Sequence, residues 1–286
     1  MEYRVIDIST WTQVVEGGNG KTYVRHDNDS VLLKVNNPPR CDEATVKQEL
    51  EVAKHVIDLG VPTPRMYDMV RVGDGFGQLV ENIKGKKSLA RICADAPSCI
   101  AEAATTLATL GRQLHSITCD TDYFPSRKEL ALKGIEIADF ITEEDKVKLR
   151  QFAKSLKDET TCTHGDFQMG NLIISGDGNP YWIDLGWFGH GSAMFDFGHL
   201  FLVCCVYSQF PQACDIFHMT AEQLQYFWDA CVKAYTGNSD HAAFDALAGK
   251  FAPLDICIRN VLVPSSSEEY KKMFGGVIHS LVEKFY

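Results

Sequence analysis

The feature that most constrains this chain is a run in which polar side chains of catalytic type interrupt two hydrophobic strands. Asp166 is followed after four residues by Asn171, then by Leu172-Ile173-Ile174, a Gly176-Asp177-Gly178 turn, Tyr181-Trp182-Ile183 and Asp184-Leu185-Gly186. Two apolar triplets around a glycine turn predict a β-hairpin. A tight loop then holds Asp166 and Asn171, and the hairpin returns Asp184 beside them.

Such a set suits phosphoryl transfer to a hydroxyl. That reaction needs a carboxylate to position the hydroxyl and accept its proton, and divalent metal to neutralise phosphate charge. Mg²⁺ takes hard oxygen ligands, one or two from protein and the rest from phosphate and water. Asp166 is the candidate base, and Asn171 and Asp184 offer an amide oxygen and a carboxylate to the metal. Single Asp and Asn residues in turns are ordinarily caps or loop amides; here the spacing, the strand pair and the closing Asp-x-Gly coincide. His164 is assigned to bracing the loop through backbone hydrogen bonds rather than to acid–base work, and Asp196 to capping its helix or anchoring that loop. His190 and His199 have no partner legible in the sequence.

Upstream, Trp11 to Glu16, Lys21 to His26 and Ser30 to Val35 read as a three-stranded meander broken by glycine- and Asn/Asp-rich turns. Gly20-Lys21-Thr22 ends like a P-loop, but Val15 stands where that motif needs its first glycine, and the alternating residues that follow do not open a helix. Gly18 and Gly20 are left as a hairpin turn whose backbone can also approach phosphates. Lys34 interrupts the apolar strand Val31 to Val35. The next segment, Asp42 to Leu59, predicts a helix with Val46, Leu50, Ala53 and Ile57 on one stripe. Glu49 borders that stripe and Glu51 does not, so a glutamate that meets Lys34 would be Glu49. Val61-Pro62-Thr63-Pro64 stops the helix, and Met66 to Val72 and Phe76 to Glu81 complete the sheet.

From about residue 85 the pattern is mostly helical. Ile100, Ala103, Leu107, Leu110 and Leu114 form one amphipathic face ending near His115. Thr142-x-x-Asp145 and Thr220-x-x-Gln223 read as capping boxes, and an apolar helix is expected near Phe197 to Tyr207.

These residues closely resemble the aminoglycoside phosphotransferase and choline kinase superfamily of protein-kinase-like small-molecule kinases. The resemblance rests on His164-Gly165-Asp166-Phe167-x-x-x-Asn171 and Ile183-Asp184-x-Gly186, followed by Gly191 and Asp196. Lys34 in its strand, Glu49 in its helix, the Val-Pro-x-Pro exit and Leu114-His115 resemble it in order and spacing. It implies an α+β, bilobal kinase-like fold: a small β-rich lobe with one helix over residues 1–84, and a larger, mainly helical catalytic and substrate-binding lobe over 85–286. It also implies ATP, or GTP, in the cleft with Mg²⁺, Asp166 as base, Asn171 and Asp184 as metal ligands, and Lys34 on phosphate, held by Glu49. Backbone from Glu81 through Asn82 to Ile83 would meet the adenine. The incomplete glycine loop departs from the pattern.

Composition narrows the partners. A formal net charge of −10 argues against a nucleic-acid groove, which needs clustered Lys and Arg. It would suit a cationic small acceptor, and Asp215, Glu222, Asp229 and Asp255 could attract an amine if they are not simply solvated helix faces. No run of about 20 apolar residues suggests a membrane span. The first ten residues lack the apolar core of a signal peptide, and the ten scattered cysteines form no C-x-x-C pair, so a reducing, cytoplasmic setting is expected. Oligomeric state is not legible. The competing readings are a glycosidase using Asp166 and Asp184, which leaves Lys34 and Glu49 unused, and a non-catalytic nucleotide-binding module. Protein phosphorylation is disfavoured because only nine residues separate Gly186 from Asp196, too few for an activation loop.

Overall fold

The computed structural model describes residues 3–17, 20–38, 40–263 and 267–286. The chain forms two compact units, one of residues 1–88 with 172–186 and one of 89–171 with 187–286. The first unit takes in Lys87–Ser88 and the hairpin that leads to Asp184. Backbone pairing accounts for this grouping. Lys87–Ser88 (β6) pairs with Leu172–Ile174 (β8), which pairs with Pro180–Trp182 (β9), and Trp182 N–H donates to Pro62 O at 2.8 Å.

The first unit is built on an antiparallel sheet of Trp11–Gly17 (β1), Gly20–Arg25 (β2), Val31–Asn36 (β3), Met66–Val72 (β4) and Gly75–Glu81 (β5), in the order β1-β2-β3-β5-β4. Because strand residues alternate between faces, Leu33 and Leu79 join Ile6, Trp11 and Val70 in a core on one side. Lys34 and its register partners Thr22 and Gln78 belong to the opposite side. There Met69 packs on Val46 and Leu50 of the helix Glu43–Asp58 (α1), whose N-cap Asp42 accepts from Thr45 N–H. The expected stripe on α1 is corrected at its end: Val56 is fully buried and Ile57 is 36% exposed. The chain returning through Gly60 and Val61 covers the Val56 side, with Val61 N–H donating to Val56 O at 3.3 Å.

The second unit is helical: Leu89–Asp95 (α2), Ile100–Leu114 (α3), Arg127–Ile137 (α4), Glu143–Ser155 (α5), Met194–Phe201 (α6), Pro211–Phe217 (α7), Ala221–Thr236 (α8), Ala242–Leu262 (α9) and Glu268–Phe285 (α10). Both predicted N-caps form: Thr142 accepts from Asp145 N–H, and Thr220 and Gln223 complete a reciprocal capping box. The apolar segment expected near 197–207 is α6 followed by a π turn over Leu202–Val206 and a 3-10 turn over Tyr207–Gln209. A two-residue ribbon of Cys162–Thr163 (β7) with Gly189–His190 (β10) brackets the loop that contains Asp166. All ten cysteines are free, and no helix among the described residues is long and apolar enough to cross a membrane.

Candidate active site

In the helical unit the loop leaving β7 is fixed from three directions. Asp196, fully buried on α6, accepts from the backbone N–H of His164 at 2.8 Å and of Gly165 at 2.7 Å. His115, at the C-terminal end of α3, completes the Asp196 shell through Nε2 at 3.0 Å. Burial favours the neutral acid at Asp196, but the hydrogen bond and charge of His115 outweigh it and hold the carboxyl below the usual range. Within the loop, His164 Nδ1 accepts from Asp166 N–H at 3.2 Å.

Arg127, from the first turn of α4, lies beneath the same loop at 1% exposure. Its Nε donates to Thr163 Oγ1 at 3.2 Å and its Nη2 to Trp187 O, while Nη1 has no hydrogen-bond partner among the described residues. Gly165 has φ +79°, and a Cβ there would run into Arg127 Nη2 and Trp187 O. Both backbone conformation and space therefore demand glycine beside Asp166.

Asp166 is held by four donor contacts. Its Oδ1 accepts from Arg259 Nη2 at 2.8 Å and faces His199 Nε2 at 3.1 Å. Its Oδ2 and its backbone carbonyl both accept from Asn171 Nδ2, at 2.6 and 2.8 Å. Burial pushes this carboxyl up; the hydrogen bond and charge of His199, with the charge of Arg259, outweigh burial and hold it well below the usual carboxylate range. Burial and Arg259 oppose protonation of His199, yet the Asp255 and Asp166 carboxylates prevail and raise its pKa. Asp255 accepts from His199 Nδ1 and Arg259 Nε, at 3.0 and 2.8 Å. It is therefore engaged inside the unit rather than lying on a solvated helix face.

Asn171 spends its amide nitrogen on Asp166, and among the described residues nothing donates to its Oδ1, the atom a hard cation would use.

The β-rich unit supplies the other residues. The register Leu172↔Trp182 closes the hairpin where the chain enters from Asn171 and leaves toward Asp184. Asp184 has φ +59°, a left-handed conformation uncommon for non-glycine residues but one that Asp takes more readily than most. Its carboxylate is exposed and has no protein donor among the described residues. Asn171 Oδ1 and this carboxylate are each, taken alone, an oxygen donor of the kind Mg²⁺ takes from protein. Clusters of three or more His, Cys, Asp or Glu suited to a metal are absent among the described residues.

Lys34 lies in β3 directly opposite Gln78, and among the described residues no ion pair joins it to Glu49. The Glu49 carboxylate is taken by Gln78 Nε2 at 2.8 Å, Asn36 Nδ2 at 3.1 Å and Arg40 Nη2 at 3.2 Å. Glu49 thus reaches the Lys34 side of the sheet through its neighbour Gln78. Gly20 is required by the sheet, since a Cβ there would strike Val35 O; Gly18 lies outside the described residues.

Glu81, Asn82 and Ile83 line a concavity of about 540 Å³ together with Lys84, Gly176 and Tyr181. Within this strip the Glu81 and Asn82 N–H groups already donate to Arg65 O and Ser30 O, and the Glu81 side chain returns to Arg65 N–H at 3.0 Å. From sequence alone His199 has no partner, Asp255 reads as a surface acid and Arg259 does not stand out. Their only sequence signal is the i, i+4 spacing of Asp255 and Arg259, which is common on any helix.

The sequence model of the phosphotransferase enzyme family (APH) matches residues 10–213. No curated protein matches the sequence significantly. Among solved structures, aminoglycoside phosphotransferase APH(4)-Ia is similar over 97% of this chain and 94% of its own, at 14% identity and TM-score 0.63. A thermostable mutant of that enzyme in ternary complex with ADP and hygromycin B gives 12% identity and TM-score 0.63, over 96% and 94% of the two chains. Choline kinase LicA from Streptococcus pneumoniae gives 13% identity and TM-score 0.55, over 99% and 95%. At these identities the likeness shows a shared fold.

Proposed function

This chain belongs to the phosphotransferase enzyme family, and from that premise we propose that it transfers the γ-phosphoryl group of ATP, with Mg²⁺, to a hydroxyl of a small molecule. The observation that carries the reading is the state of Asp166: a carboxylate kept ionised and fixed in orientation by His199, Arg259 and Asn171. A hydroxyl is placed by an acceptor of this kind in phosphoryl transfer, where positioning and charge stabilisation do most of the work.

In the proposed reaction Asp166 orients the hydroxyl and takes its proton as the new O–P bond forms and the bond to ADP breaks. Asn171 Oδ1 and the Asp184 carboxylate would hold the metal, which when bound neutralises phosphate charge. Lys34, with no ion pair among the described residues, is available to phosphate oxygens, and the 81–83 strip is proposed to meet the base. Glu49, which accepts from Gln78 in the register position opposite Lys34, is proposed to steady that face of the sheet. Structural neighbours of this fold are described with ADP and hygromycin B and as a choline kinase, which supports an amino sugar or amino alcohol as acceptor, with free sugars also in the class.

The reading is tested by a phosphate-transfer screen with Mg²⁺ and ATP against amino sugars, amino alcohols and free sugars. Transfer to at least one class, lost in Asp166→Ala, is expected. Equal product from wild type and variant would contradict it. Calorimetry with and without Mg²⁺ completes the test, since Asp184→Ala should lose the metal-dependent part of nucleotide affinity.

A further inference from the structure

The Asp166 carboxylate has roughly four lone-pair directions, two on each oxygen. Both on Oδ1 are filled, by Arg259 Nη2 at 2.8 Å and His199 Nε2 at 3.1 Å. Asn171 Nδ2 takes one on Oδ2 at 2.6 Å, and among the described residues nothing takes the other. Resting on the kinase reading of this site, we infer that Arg259 is a positioning residue of the reaction: with His199 it saturates Oδ1 and reserves Oδ2 for the acceptor hydroxyl.

Arg259 is built for that task. It lies on α9, beyond the 10–213 segment that the family model matches, and it is fixed from several sides. Its Nε donates to Asp255 at 2.8 Å and its Nη2 to Gly165 O at 3.0 Å. The guanidinium centre sits 4.7 Å from the centroid of the Trp187 ring, within cation–π range. Asp255 is itself 3% exposed and shared with His199, so one buried carboxylate sets both groups that bind Oδ1. The same Nη2 lies 3.0 Å from His199 Nδ1, so neither Arg259 nor His199 can shift without displacing the other. Catalytic loop, α6 and α9 are thereby locked onto one oxygen atom. During transfer the acceptor O–H proton passes to Oδ2, the acceptor oxygen bonds to the γ-phosphorus, and the bond to the ADP oxygen breaks. ADP and the phosphorylated acceptor leave, and Asp166 returns the proton to water.

The test compares wild type, Arg259→Ala, Arg259→Lys and Asp255→Asn. It follows phosphate release from ATP and Mg²⁺ without added acceptor, and transfer to amino sugars, amino alcohols and free sugars. A misplaced base should lower kcat about 10²-fold in Arg259→Ala while the KM for ATP is unchanged, and added guanidinium ion should restore turnover where the same concentration of NaCl does not. Arg259→Lys keeps the charge without the fork and should be intermediate. It also serves as the folded comparison if Arg259→Ala gives no cooperative thermal transition. Asp255→Asn should reproduce the kcat-selective loss. Unchanged kcat in Arg259→Ala, or a loss in which KM for ATP and stability move together without guanidinium rescue, overturns the inference. Wild type no more active than Asp166→Ala overturns the kinase reading and this role with it.

Discussion

The side chain of Asp196 accepts two hydrogen bonds from consecutive backbone amides, His164 N–H at 2.8 Å and Gly165 N–H at 2.7 Å. One carboxylate on α6 thus substitutes for the strand pairing that the chain loses as it leaves β7 for the catalytic loop. Asp196→Asn replaces one acceptor oxygen by an NH₂ donor facing an N–H group. Chemical denaturation should show a loss of about 3–5 kcal/mol, the range for breaking one side of a buried charged pair. A loss below about 1 kcal/mol, the size of one ordinary hydrogen bond, would contradict the anchoring role.

Gly165→Ala places a methyl group against Arg127 and Trp187 at a positive φ. Strain and overpacking act together, so destabilisation of about 2–4 kcal/mol is expected. Gly178→Ala is the control: it shares a positive φ but has open space around it, and should lose only about 1 kcal/mol. Thermal melts of the two variants should therefore separate clearly.

Stability should fall with acid in a defined window. Burial raises the Asp255 carboxyl, but the Arg259 charge and the His199 charge and hydrogen bond outweigh it, leaving a folded pKa of about 2. The unfolded value is near 3.9. A depressed folded pKa gives stability that is present above the unfolded value and is lost as pH falls through the folded one. Denaturation free energy should thus decline between about pH 4 and pH 2, by on the order of 2–3 kcal/mol from this group. Asp255→Asn should be less stable at neutral pH and show a flatter decline. An equally steep acid limb in that variant would rule Asp255 out as its source.

Much of this architecture was legible in the sequence because its signals are local. Strand alternation located β1 to β5 within a residue or so, and Thr142 and Thr220 announced helix starts through side chains that act within three residues. The Asp166-to-Asp184 run was legible for the same reason, its spacing being contained in one loop and one hairpin. Two features were not. Glu49 was expected at Lys34, yet Asn36, Arg40 and Gln78 compete for the same carboxylate, and only three-dimensional register decides among them. Arg259, Asp255 and His199 come from α9 and α6, far along the chain from Asp166. Their convergence depends on how two helices pack, and helical periodicity reports that a face is buried without reporting what it meets.

Lys34→Ala separates binding from folding. Because no ion pair engages Lys34 among the described residues, its removal should leave the melting temperature within about 2 °C, a ΔΔG under roughly 0.5 kcal/mol. It should weaken ATP binding about 10- to 100-fold, the worth of one charge-assisted contact to phosphate. A destabilised protein with unchanged ATP affinity would assign Lys34 to the sheet instead.

The central claim is that Asp166 places and deprotonates an acceptor hydroxyl. Single-turnover transfer from ATP and Mg²⁺, with wild type and Asp166→Ala each saturated with nucleotide and acceptor, measures that step directly. The account predicts a rate at least about 10²-fold lower in the variant, with nucleotide affinity by calorimetry retained; equal single-turnover rates would contradict it.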